Sequence, residues 1–109
     1  MRPPHSITSD MYKTRDEYLV LVSQMTNVPT DDIVGRSRLR KNVIARHLLM
    51  WALTHLCGYS TTVVGQLMHR DHCTVVYGKN IVEFEKIFPA DDIRAYKNML
   101  INHHKAFHS

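Results

Sequence analysis

The sequence predicts an all-α fold, on three observations. Apolar residues recur at helical spacing in successive segments from Tyr18 to Leu100. No Val/Ile/Thr run alternates with period two, and no Asn-Gly or Asp-Gly pair marks a hairpin. A short helix, a tight turn and a second helix follow one another between Ser60 and Val82. At 109 residues, 44% hydrophobic and 22% charged, the chain has room for one core and no second domain. The stretch poorest in charge, Asn42–Met68, is interrupted by Arg46, His47 and His55, so it predicts no membrane span.

Met1–Ser9 holds two prolines and no periodicity and reads as a loose arm, followed by a single domain over 10–105 and a frayed tail at 106–109. Thr14-Arg15-Asp16-Glu17 fits a capping box. Tyr18, Leu19, Leu21, Val22 and Met25 then follow at helical spacing up to Pro29. Thr30-Asp31-Asp32 starts a short turn of helix around Ile33, and Gly35–Arg40 reads as a basic loop. From Asn42 to Cys57 an apolar pattern through Leu48, Leu49, Trp51 and Leu53 predicts the central helix, about 24 Å long and closed by Gly58. Ser60 is the expected N-cap of the next helix, in which Gly65 marks a close approach. His69-Arg70 makes the turn, and Asp71 caps a helix with apolar positions Val75, Val76, Ile81, Val82 and Phe84. A last helix from Asp91 is expected to bury Ile93, Tyr96, Met99 and Leu100 and to fray into His103-His104-Lys105.

The net charge of +4 conceals a strong asymmetry. Residues 33–82 carry Arg36, Arg38, Arg40, Lys41, Arg46, Arg70 and Lys79 against Asp71 alone, and no carboxylate lies between Asp32 and Asp71. Solvated helix faces interleave both signs, whereas a one-sign segment is the footprint of a polyanion-binding face.

The two helices around His69-Arg70 match the helix-turn-helix plan, in which the second helix enters the DNA major groove N-terminus first. At that end Asp71 can accept from cytosine N4, and Thr74 can reach a base or a phosphate. His72 and Cys73 can meet a thymine methyl, and the backbone N–H groups of the helix start attract phosphate.

The string Arg70-Asp71-His72-Cys73-Thr74-Val75-Val76-Tyr77 resembles the signature Gly-Arg-Asp-His-Thr-Thr-Val of the C-terminal DNA-binding domain of the bacterial replication initiator DnaA. Upstream, Arg36-Ser-Arg38-Leu-Arg40 resembles that family's basic loop, and Ala45-Arg46-His47 with Leu49-Met50 resembles its Arg-Gln-Ile-Ala-Met helix start. Ser60–Gly65 resembles its Ser-Leu-Pro-Glu-Ile-Gly segment. The resemblance spans Tyr18 to Glu85 and implies a small Trp-repressor-like helical domain that binds short boxes of double-stranded DNA. It implies a minor-groove role for Arg38, phosphate contacts at Arg46, Ser60 and Thr61, and base reading by Asp71 and His72. Cys73 stands where the family has threonine, His69 where it has glycine, His47 where it has glutamine, and Tyr77 where it has histidine.

Together these readings predict a non-enzymatic, sequence-specific reader of double-stranded DNA, acting in replication initiation or its regulation. Arg40, Lys41, Arg46, Arg70 and Lys79 would contact phosphates, with Arg36 alongside them in the basic loop, His47 also expected at the DNA, and Tyr77 dividing between a phosphate contact and packing. The alternatives are a transcriptional or phage-type regulator reading another site, and a helical protein–protein adaptor. Gly78-Lys79-Asn80 lacks the rest of a P-loop, so no ATPase is expected. No zinc spacing appears among the eight histidines and two cysteines, so no metal or cofactor is expected, and His103, His104 and His108 read as a polar tail. Asp71 and His72 are adjacent and point about 100° apart, which does not make a catalytic pair. The absence of an apolar leader and the unpaired cysteines predict a cytoplasmic, nucleoid-associated protein. A single module with one recognition helix predicts a monomer, with other replication proteins as further partners.

Overall fold

The first helix, α1, spans Ser9–Thr26, and Thr8 rather than Thr14 caps it, accepting from the Met11 N–H at 3.3 Å. Thr14 lies inside the helix, its hydroxyl donating to the Asp10 carbonyl at 3.0 Å. The Thr-x-x-Glu signature was therefore a false start, because the residues ahead of it continue the helix. Asn27, left-handed at φ 58°, closes α1. The computed structural model describes residues 7–86 and 90–108, so positions 1–6 of the expected arm and residue 109 of the expected tail lie outside the described residues. Among the described residues the protein is all-α, with no strand and no helix long and apolar enough to cross a membrane.

After Pro29 the short α2 (Thr30–Val34) buries Ile33. Helix α3 (Arg40–Trp51) begins two residues ahead of expectation, which takes Arg40 out of the expected loop and puts it with Lys41 in the first turn of the helix. It continues as one π-helical turn over Ala52–Leu56. There the Thr54 hydroxyl donates to the Met50 and Trp51 carbonyls at 2.8 and 3.2 Å, competing with the backbone for its acceptors. Gly58, at φ 76°, then reverses the chain as expected.

Ser60 caps α4 (Thr61–Met68), its hydroxyl accepting from the Val63 N–H at 3.1 Å. A Cβ on Gly65 would lie 2.6 Å from the Arg70 carbonyl oxygen, so this glycine lets the turn fold down onto α4. His69 supplies the reversal in the left-handed region at φ 55°, a conformation that glycine adopts without strain. Helix α5 (His72–Glu83) is followed by α6 (Ala90–His108).

Helix α3 forms the spine. Leu48, Leu49, Met50 and Leu53 are fully buried, joined by Tyr18 and Val22 of α1, Val64 of α4, Val75 and Val82 of α5, and Leu100 of α6. Trp51, 3% exposed, joins three helices: its Nε1 donates to Glu83 Oε2 at 2.6 Å, and Lys97 Nζ lies 5.4 Å from its ring. His55 stacks on the same ring at 5.6 Å. Three expected core positions are instead exposed: Val76 and Phe84 on or beside α5, and Met99 on α6. Helix α6 does not fray at His103; it runs to His108 against α1.

Two buried polar residues shape what lies above α3. Arg46 is 8% exposed, and its guanidinium donates to the carbonyls of Ile33 at 2.8 Å, Asp32 at 3.0 Å and Ser37 at 3.1 Å. His47, equally buried, lies under Gly78, where an added Cβ would come within 2.8 Å of its ring and 2.6 Å of Met50 Sδ. Close packing of α3 on α5 thus depends on a glycine at position 78.

Arg46→Ala strands three carbonyls and opens a cavity, and is expected to lower stability by about 2–4 kcal/mol; a urea midpoint unchanged from wild type would refute this. Arg46→Lys should recover little, since an ammonium cannot match the planar fork. Burial, with the Arg46 charge adding to it, depresses the His47 imidazole pKa to about 4. The unfolded chain takes up that proton near pH 6.5, so the stability present above this pH is lost as pH falls towards 4, by up to about 3 kcal/mol. His47→Gln should flatten this dependence, which urea titrations at pH 7 and pH 4.5 would reveal.

Candidate nucleic-acid interface

Helix α5 docks through Val75, Gly78 and Val82, all buried, and this fixes which residues it displays. Asp71, His72, Cys73 and Thr74 are all exposed, as is Tyr77 one turn on. Asp71 holds the extended N-cap conformation, yet its carboxylate makes no capping hydrogen bond and lies 3.4 Å from His72 Nδ1. The expected cap is therefore one of position only, and the carboxylate stays available to an outside donor. Cys73 is a free, exposed thiol. Cys57, also free, is half-buried, and burial pushes its pKa up to about 11.

The turn is tied to the basic loop by Arg70. Its N–H donates to the Gly65 carbonyl at 2.8 Å, and its guanidinium donates to the Gly35 carbonyl. Burial and the neighbouring Arg36 charge both lower the Arg70 pKa. The loop is held from beneath as well. Ser37 Oγ accepts from Asn42 Nδ2 at 2.9 Å and from the Leu39 N–H at 3.3 Å, while its carbonyl takes Arg46. Arg36, Arg38, Arg40 and Lys41 are left exposed.

Arg38, Arg40, His47, Tyr77 and Lys86 line one open groove of about 430 Å³ between the start of α3 and α5, floored by Val43, Ile44 and Ile81. The Tyr77 ring meets His47 edge-on at 5.9 Å and is 62% exposed. His47 Nδ1 is buried without a hydrogen-bond partner among the described residues.

Two expected contacts, those at Arg46 and His47, need correction. Arg46 is not displayed to a phosphate, because its donors are engaged by backbone carbonyls below the loop. His47 lies beneath Gly78 instead of on the surface. Arg70 is half-buried against the loop, and Lys79 is half-buried near His55, away from the first turn of α5. Ser60 stays exposed while its hydroxyl oxygen accepts as a cap, which leaves its O–H free to donate, and Thr61 is half-buried. Sequence reasoning passed over Asn42 and Ser37, whose roles depend on a loop conformation without periodicity, and Lys86, which follows two glutamates.

Loop, turn and first helical turn thus form one continuous assembly, cationic on the loop side and rich in hydrogen-bonding side chains at the helix start. The model of the family described as bacterial dnaA protein helix-turn-helix matches residues 16–82, more than half of the chain. The match begins within α1 and stops one residue short of the end of α5, so it takes in every element that builds this surface. The chain belongs to the bacterial DnaA helix-turn-helix family of DNA-binding domains.

Proposed function

We propose that this domain binds double-stranded DNA sequence-specifically at boxes of the DnaA type, with the first turn of α5 in the major groove and Arg38 in the adjoining minor groove. The observation that carries this reading is the exposed run Asp71–Thr74 on a helix docked through buried Val75, Gly78 and Val82, flanked by four exposed cations, Arg36 and Arg38 of the loop and Arg40 and Lys41 of the first turn of α3. Phosphate contacts from Arg36, Arg40, Lys41 and the exposed edge of Arg70 position the protein, and side chains at the helix start read base edges. Asp71 accepts from a cytosine amine, Thr74 reaches a base or phosphate, and Tyr77 reaches the backbone one turn later. Cys73 replaces the family's threonine at a reading position, so the preferred box differs there from the family's. His72 completes the base-reading set, while Arg46 and His47 act by holding the loop and α5.

In this reading the chain works as a monomer at the nucleoid in the cytoplasm. It marks or competes for origin boxes without ATPase chemistry of its own, with other replication proteins as further partners. Fluorescence anisotropy against a box duplex and a scrambled duplex, across a salt series, tests it. A preference of ~10³ for the box is expected. Equal affinity for both with a steep salt slope would contradict the proposed box while keeping a DNA-binding face, and no binding to either would end the DNA reading.

Asp71→Ala is expected to cost about 1–3 kcal/mol on the box and to relax discrimination at one base pair. An equal loss on scrambled DNA would remove Asp71 from the reading set. Lys41→Ala should weaken every duplex alike and reduce the salt slope by about 1, with no change in base preference.

A further inference from the structure

We propose that Glu17, His103 and His108 form a binding site for a divalent transition metal, of the zinc class, that fastens α6 to α1. The two helices bring together donors 86 and 91 residues apart: His103 Nε2 and His108 Nε2 each lie 2.7 Å from Glu17 Oε2. All three donor atoms fall within 4.8 Å of one another. Two imidazole nitrogens and a carboxylate oxygen are a donor set that suits zinc and its neighbours. Ligands about 2.0–2.2 Å from a tetrahedral metal lie roughly 3.3–3.5 Å apart, so each nitrogen need move back from the carboxylate by less than about 1 Å. The site is open to entry, with side-chain exposures of 22% for His103, 32% for His108 and 38% for Glu17, and a water can take the fourth position.

The rings are held by a second layer that the DNA-reading surface does not use. The Tyr18 hydroxyl, in a residue with no exposed surface, lies 2.6 Å from His104 Nδ1, and His104 stacks on His108 at 5.2 Å. The Tyr18 ring also meets His103 edge-on at 5.4 Å and His108 at 5.9 Å. Packed rings of this kind limit sterically how far the two imidazoles can turn away from Glu17. Asp71, His72 and Cys73 also gather three donor atoms, but all three are exposed neighbours supplied by a single helix start. Both metal-ligating histidines lie beyond residue 82, where the family match ends, so the site is a feature of this chain's α6.

Titration of the metal-free full-length chain with Co²⁺ tests the site. One equivalent should produce the visible d–d absorption of a tetrahedral nitrogen–oxygen site, and excess Zn²⁺ should erase it. Zn²⁺ should also raise the melting temperature, since a ligand that binds only the folded state multiplies the folding constant by 1 + [L]/Kd. His103→Ala and Glu17→Gln should each weaken Co²⁺ binding at least tenfold, and Glu17→Gln preserves side-chain shape if the alanine variant fails to fold. Absence of the absorption, affinity unchanged in folded Glu17→Gln, or a thiolate-to-cobalt charge-transfer band that places the metal at Cys73 would each overturn the proposal.

Discussion

A buried charge organises this domain. The Arg46 guanidinium lies under the basic loop and donates to the carbonyls of Asp32, Ile33 and Ser37. A charge so nearly removed from water is tolerable only with its donors matched, and a bent backbone offering several carbonyls is one of few local partners able to do so. The loop therefore takes the shape that serves the arginine. With Arg46 drawn inward, Arg36, Arg38, Arg40 and Lys41 are turned outward. One cation is internal while four others are external, and the sequence holds no acidic residue between Asp32 and Asp71.

The same economy governs the recognition helix. Gly65 lets the turn fold onto α4, and Gly78 lets α5 pack against His47 and Met50. His69 holds the left-handed reversal between them at some conformational cost. Arg70 then bonds the turn to Gly35 at the mouth of the loop. Loop and helix are consequently tied into one unit through Arg70, whose backbone N–H and guanidinium bond Gly65 and Gly35.

Much of this was legible from residue order. Helical periodicity located the five main helices, Ser60 announced its cap and Gly58 its reversal, and the one-sign segment marked the cationic surface. The failures share a cause. Arg46 looked like a surface cation because sequence cannot show which carbonyls a loop will turn towards it. Thr14 mimicked a helix start because a capping signature says nothing of whether the residues before it are already helical. Met99 and Phe84 fit the periodicity but stay exposed, at 49% and 64%. The C-terminal histidines looked like a solvated tail because their partners, Glu17 and Tyr18, lie some 86 residues away. Long-range pairing is the information that one-dimensional patterns lack.

The tryptophan at the junction of three helices gives the molecule an internal optical probe. Trp51 is the only indole in the chain, its N–H bonded to Glu83 at the end of the recognition helix and its face next to Lys97 of α6. Its emission is therefore governed by a carboxylate and an ammonium supplied by two different helices. Loosening of α5 rehydrates one side of the indole, and departure of α6 removes the cation from the other. The attachment of α5 and α6 to the central helix is thus written into the intrinsic fluorescence of the unlabelled protein.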